Sequence, residues 1–94
     1  METELKVGEL YKFRKIKLPF GVSVSVLFCI KYDDCKCKAI EPRLVLNNDI
    51  IGMFLGFETL KFEFESTYQP MISVLYLDKV YYFNSMYIET EKLS

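Results

Sequence analysis

"VLYLDKVYYFNSMYIE", residues 74–89, contains two short runs of strand-forming residues, a tight turn between them, and a single turn before one more short strand. Aromatic and β-branched residues favour strands because they suit a pleated, half-buried surface. In the first run Val74 and Tyr76 share one side while Leu75 and Leu77 share the other, because strand side chains alternate. The stretch therefore predicts a hairpin that is apolar on both faces.

Alternation of period two continues along most of the chain and predicts about seven short strands without a long helix. The clearest strand is predicted over 22–32, and a turn at Asp33–Asp34 followed by a return strand over 36–40 would complete a hairpin. Residues 43–48 fit either a short strand or a single helical turn.

Two glycines interrupt the apolar segment "DIIGMFLGF", residues 49–57, at Gly52 and Gly56. Glycine inside a strand pattern indicates a bulge or a tight bend, which small barrels need. The chain has 94 residues, 51% of them hydrophobic, with fifteen Phe and Tyr residues and no Trp. These features predict one all-β domain over residues 1–94, built as a small barrel with a single core.

Three segments resemble the layout of an SH3-like barrel: "VGELYKF" (7–13) as first strand, "DIIGMFLGFE" (49–58) as bent second strand, and residues 74–89. Small phage-encoded proteins share a similar plan, with a glycine-led first strand and an ending like "YIETEKL" (87–93). The resemblance covers about half of the chain. It implies a barrel of about five strands, with its core over about 5–16 and 48–90, and an inserted hairpin over about 20–41.

Several kinds of chemistry are excluded by residue content. The chain has no histidine, which removes the usual general base and the Ser-His and Cys-His nucleophiles. No glycine-rich phosphate-binding motif occurs. Cys29, Cys35 and Cys37 form the one metal-like cluster, but three thiols at this spacing do not match a zinc site. The sequence therefore predicts a protein without enzymatic activity, metal or cofactor.

The cysteine count and the N-terminus indicate the compartment. Three cysteines are an odd number, which fits a reduced environment better than a disulfide framework. The start, "METELKVGEL", is neither a signal nor a transit peptide, and no stretch reaches the roughly 20 apolar residues of a membrane span. We expect a cytoplasmic protein without a membrane partner, in the host cytoplasm if it is phage-encoded.

The two-sided strands make more apolar surface than so small an interior can hide, and an uncovered apolar patch indicates a partner surface. Tyrosine is favoured there because it combines apolar area with a polar tip. We expect a protein partner, from the host or as a second copy in a homodimer; on the phage resemblance, the chain would modulate or inhibit a host or defence protein. The opposing interpretation places every ring in the core. The candidate residues are Phe20, Tyr76, Tyr81, Tyr82 and Tyr87.

The basic segment "KFRKIK", residues 12–17, supports an alternative function. Net charge is −1 overall, but residues 1–47 carry nine Lys/Arg and six Asp/Glu, whereas residues 48–94 carry three and seven. Cations beside an aromatic such as Phe20 are typical of contacts with nucleotides or single-stranded nucleic acid. An ordinary solvated strand explains the same charges. The candidate residues are Lys12, Arg14, Lys15 and Lys17.

Overall fold

The computed structural model describes residues 4–93, and residues 1–3 and 94 of the predicted domain lie outside it. The predicted all-β class is confirmed. No helix in the described part is long and apolar enough to cross a bilayer. The strands are β1 (Leu10–Lys15), β2 (Cys29–Asp33), β3 (Lys36–Ala39), β4 (Ile50–Phe62), β5 (Tyr68–Tyr76), β6 (Lys79–Asn84) and β7 (Ile88–Lys92), with 3-10 turns at Pro19–Gly21 and Ser85–Tyr87.

All seven strands belong to one sheet in the order β3-β2-β6-β5-β4-β1-β7. Neighbours are antiparallel, and an additional parallel pairing joins β3 to the end of β4, where Lys36 faces Lys61. This pairing closes β2, β3, β4, β5 and β6 into a five-strand ring, which confirms a small barrel. Closure pairs the edge formed by β3, whereas β7 pairs only with β1 and remains an edge strand.

Strand β4 is long enough to serve both parts of the sheet. Its first half pairs with β1 and its last residues pair with β3, so the strand must bend between them. The ladder with β5 shifts register between Phe54 and Gly56, and Gly56 has a φ of 141° that a side chain would disfavour. The Ser73 hydroxyl donates to the Gly56 carbonyl at 3.1 Å. The predicted glycine-dependent bend is therefore confirmed at Gly56.

Two apolar clusters lie on opposite faces of β5 and β6. The larger contains Ile72, Val74 and Phe83, together with Tyr11 and Phe13 of β1, all buried. The smaller is formed by buried residues of four strands and partly buried neighbours: Cys29, Cys37, Leu60 and Met71, with Leu27, Phe62 and Tyr82. Because side chains alternate along a strand, Met71 and Ile72 enter different clusters. The hairpin predicted from residues 74–89 is thus buried on both sides over part of its length.

The β2–β3 hairpin covers one side of this two-faced region. It pairs with β6 through Cys29 and Tyr82 and with β4 through Cys37 and Phe62, and its buried cysteines pack against Leu60 and Met71. The hairpin predicted over 20–41 therefore lies within the ring itself. It buries the face of β5 and β6 that carries Met71 and Tyr82.

The strand predicted over 22–32 is too long. Only Cys29–Asp33 is a strand, whereas the valine-rich stretch before it is held by the chain at 44–46. The Leu46 amide donates to the Val26 carbonyl at 2.8 Å and the Phe28 amide donates to the Leu44 carbonyl at 3.0 Å. The alternating apolar pattern of residues 22–28 is the same for a single bridge and for a longer strand pairing, so the sequence could not distinguish them. Residues 43–48 contain no helix, and their β-structure is limited to the bridge at Val45.

Gly52 provides a stability test of the packing between β4 and β5. A Cβ at this position would lie 2.5 Å from Val74 Cγ1 and 2.9 Å from the Leu75 carbonyl oxygen. Gly52→Ala should lower the free energy of unfolding by about 1–3 kcal/mol through overpacking. Urea unfolding measures the change. Thr59→Ala, at an exposed position of the same strand, should cost less than about 1 kcal/mol, and equal effects of the two variants would contradict the close approach.

Candidate partner-binding surface

Four apolar side chains align across the solvent-facing side of four adjacent strands. Leu10 of β1 faces Met53 of β4, Met53 faces Leu75 of β5, and Leu75 faces Val80 of β6. Residues in direct cross-strand register lie on the same face of a sheet. Leu10 is 51% exposed and Val80 is 40% exposed, with Met53 and Leu75 half-buried between them. We call Leu10, Met53, Leu75 and Val80 the outer apolar row.

Further apolar and charged groups border the outer apolar row. Ile51 precedes Met53 by two residues on the same face and is 53% exposed, and Leu77 at the hairpin turn is 76% exposed. Beyond Ile51 in register, Lys12 forms an ion pair with Glu91 at 3.7 Å. The row is therefore an apolar centre beside charges that are already compensated.

Two of the predicted tyrosines lie on the other face of the hairpin. Tyr76 and Tyr81 are half-buried and pack on the larger core, where the Phe28 ring meets Tyr81 edge-on at 5.1 Å between centroids. They form part of the wall of a groove of about 360 Å³ with Leu44 and Leu77. The structure therefore separates these tyrosines from the outer apolar row.

The remaining predicted aromatic residues lie in three different environments. Tyr82 is half-buried against the smaller cluster, and burial followed by the nearby charge of Glu58 raises its pKa. Tyr87 is half-buried on the larger core. Phe20 is 99% exposed on the Pro19–Gly21 turn with a φ of 61°. The five predicted residues therefore do not form one surface. The sequence pattern placed Leu75 opposite Val74 and Tyr76 but did not single out the outer apolar row, because cross-strand register is not visible in a single sequence.

Acidic partners compensate the predicted basic strand. Arg14 donates to Glu91 at 2.7 Å and to Glu89 at 3.3 Å, and it lies 3.5 Å from Asp49. The hydrogen bond to Glu91, and then that to Glu89, raises the pKa of Arg14, and the bond from Arg14 lowers the pKa of Glu91.

Lys12 shares Glu91, so two of the four predicted cations already face carboxylates. Lys15 is half-buried at the end of β1 and Lys17 is exposed in the loop that follows it. Anion binding at Lys12 or Arg14 would have to displace these ion pairs.

The three cysteines are free thiols in two environments. Cys29 and Cys37 are buried in the smaller cluster, whereas Cys35 is half-buried in the β2–β3 turn beside Tyr68, whose pKa is raised mainly by a hydrogen bond with Cys35. Burial raises the pKa of Cys29 to about 12 and that of Cys37 to about 11. Among residues 4–93, no three Cys, Asp or Glu side chains are grouped to hold a metal ion.

Thiol reactivity should separate these cysteines. The thiolate is the nucleophile, so the raised pKa values and the burial should keep Cys29 and Cys37 unreactive near neutral pH. A disulfide reagent is expected to label about one thiol per native chain rapidly, and all three after unfolding in urea. Cys35→Ser should remove the rapid phase, and a rapid phase that survives this substitution would contradict the assignment.

Comparisons with protein-family models, with curated proteins and with solved structures find no match to this chain. The function is therefore inferred from the geometry of its surfaces.

Proposed function

We propose that this protein is a non-catalytic binding protein that engages a partner protein through the outer apolar row. The alignment of Leu10, Met53, Leu75 and Val80 across four strands carries the proposal. An apolar strip of this kind is exposed at a cost unless another surface covers it.

The surroundings of the row favour a protein as the partner. Interfaces between proteins combine an apolar centre, depleted in charge, with a polar rim. Here the centre is aliphatic and the rim includes the Lys12–Glu91 ion pair, which stays solvated at the edge. Compensated charges give little long-range attraction for a polyanion, so affinity would come from apolar burial.

The resemblance to small phage-encoded proteins with SH3-like barrels adds an expectation about the partner. On that resemblance, we propose that the chain binds a host or defence protein in the host cytoplasm and modulates or inhibits it. A fold of this type supports many functions, so the proposal depends on the surface more than on the barrel.

Val80→Glu tests the row with little risk to the fold, because Val80 is 40% exposed at its end. Placing an unpaired carboxylate in an apolar interface should cost about 3 kcal/mol, or roughly 100-fold in affinity. The measurement is quantitative capture of partners from host lysate at low and high salt. Because apolar contacts are insensitive to salt, the captured partner should persist at high salt with the wild-type chain and be lost with Val80→Glu.

Val22→Glu is the matched control, because Val22 is 57% exposed in a loop and lies outside the row. It should capture the same partner as the wild-type chain. Mass in solution is measured for all three proteins, since a dimer that Val80→Glu dissociates would identify the partner as a second copy. Retention of every partner and of the same mass by Val80→Glu would rule out the row as the binding surface.

A further inference from the structure

Two lysines and one tyrosine form a second aligned row near the tips of the β2–β3 and β4–β5 hairpins. Lys36 of β3 faces Lys61 of β4, and Lys61 faces Tyr68 of β5. On β2 the residue in register with Lys36 is Asp33, and Tyr32 lines a cleft of about 280 Å³ together with Lys36 and Lys61. Tyr32 is 46% exposed and Tyr68 is 54% exposed.

The lysine pair is unusual because like charges in direct cross-strand register destabilise a sheet. Among residues 4–93, no carboxylate lies within 4.0 Å of Lys36 or Lys61, whereas Lys12 and Lys31 each have one and Arg14 has three. An anion bound between the two ammonium groups would remove the repulsion. A phosphate oxygen suits this position because a lysine ammonium recognises it as a compact point charge.

Phe64 supplies an exposed ring in the same cleft. It is 97% exposed with a φ of 69°, in the turn after β4, and it lines the cleft with Tyr32 and Lys61. A left-handed backbone conformation is unfavourable for a bulky residue, and the ring is left in water. Backbone strain of this kind is typical of residues at functional sites. A planar ligand can stack on such a ring.

We propose that this cleft binds a nucleotide whose base is unpaired, with its phosphate between Lys36 and Lys61 and its base stacked on Phe64 or Tyr32. Lysines beside exposed aromatic rings are the combination that holds single-stranded nucleic acid, because every base has a face that can stack. Lys38 adds a third positive charge, since its Nζ lies 5.4 Å from the centroid of the Tyr32 ring. The site lies apart from the outer apolar row and from the basic strand at 12–17.

Two carboxylates limit the affinity of the cleft. Glu63 and Glu65 also line it, and their charges oppose a phosphate. Their amides are held by backbone hydrogen bonds to the Cys37 carbonyl at 2.9 Å and to the Phe62 carbonyl at 2.9 Å, so the turn should survive loss of the side-chain charge. Glu63→Gln should therefore tighten nucleotide binding by a few-fold, as expected for removal of a like charge a few ångströms away in solvent.

The test measures fluorescence anisotropy of a labelled oligothymidine of about 15 nucleotides against the full chain over a range of NaCl concentrations. For single strands, the slope of log affinity against log salt is about −0.7 per phosphate contact. Replacing both Lys36 and Lys61 by Gln should make the slope less steep by about 0.7, because the two lysines share one phosphate. Phe64→Ala should weaken binding about tenfold with the slope unchanged, because it removes stacking and no charge.

Lys12→Gln is the matched control, since it removes a cation that already faces Glu91. It should bind like the wild-type chain, as should Val80→Glu, which makes this result independent of the proposed protein partner. Thermal unfolding checks that each variant remains folded. Loss of binding in Lys12→Gln equal to that in the double lysine variant would overturn the proposal. So would the absence of binding by the wild-type chain to both the oligothymidine and adenosine monophosphate.

A second probe distinguishes a free nucleotide from a strand. Adenosine monophosphate is titrated into isotope-labelled protein, and amide shifts are followed at Tyr32, Lys36, Lys61 and Phe64. Shifts confined to these residues would identify a free nucleotide as sufficient. If the oligothymidine binds but adenosine monophosphate causes no such shifts, the ligand is a single strand, whose several phosphates are needed for affinity. Shifts centred instead on residues 12–17 would contradict the assignment.

Discussion

The structure depends on the fact that the central strands are apolar on both faces. Ile72 and Val74 enter the larger core from one side of β5, and Met71 enters the smaller cluster from the other. A sheet can bury both faces only if another layer covers the second one. In this chain the second layer is the β2–β3 hairpin, whose Cys29 and Cys37 supply the covering side chains. Deletion of the β2–β3 hairpin would expose the smaller cluster to water. The hairpin therefore stabilises the core in addition to closing the ring.

The cover is incomplete, and this incompleteness produces the candidate site. The hairpin contacts the outward face near Met71, but the same face continues to Leu75 and Val80, which it does not cover. A hairpin with strands of five and four residues is too short to cover the whole outward face of β4, β5 and β6. The uncovered part is what we propose to be the partner surface, so the size of the hairpin defines the extent of the site.

Much of the fold could be predicted because alternation and turn residues are local signals. The strand at Leu10–Lys15, the bend at Gly56 and the single turn before the last strand all follow from residues close in sequence. The valine stretch before Cys29 could not be assigned, because its partner at 44–46 is distant and forms only one bridge. The parallel pairing of Lys36 with Lys61 is likewise non-local, and no residue pattern predicts it.

The candidate site was predicted less well than the fold for a related reason. Composition shows that both faces of residues 74–83 are apolar, but only the register with other strands decides which face the hairpin covers. That register places Tyr76 and Tyr81 on the core side and Leu75 and Val80 outside. Residue type favoured the tyrosines as interface residues, whereas the geometry favours the aliphatic face opposite them.

The two proposed surfaces can act independently because of strand alternation. Leu75 of the outer apolar row and Tyr68, which is in register with Lys61 of the proposed cleft, both belong to β5 but are separated by an odd number of residues. Side chains at such a spacing point to opposite faces of the sheet. The outer apolar row and the proposed nucleotide cleft therefore face different directions, and a protein and a nucleotide bound to them would not compete for space. Together, the two proposals imply that this chain would join a protein to a nucleotide, with salt weakening the second contact and leaving the first intact.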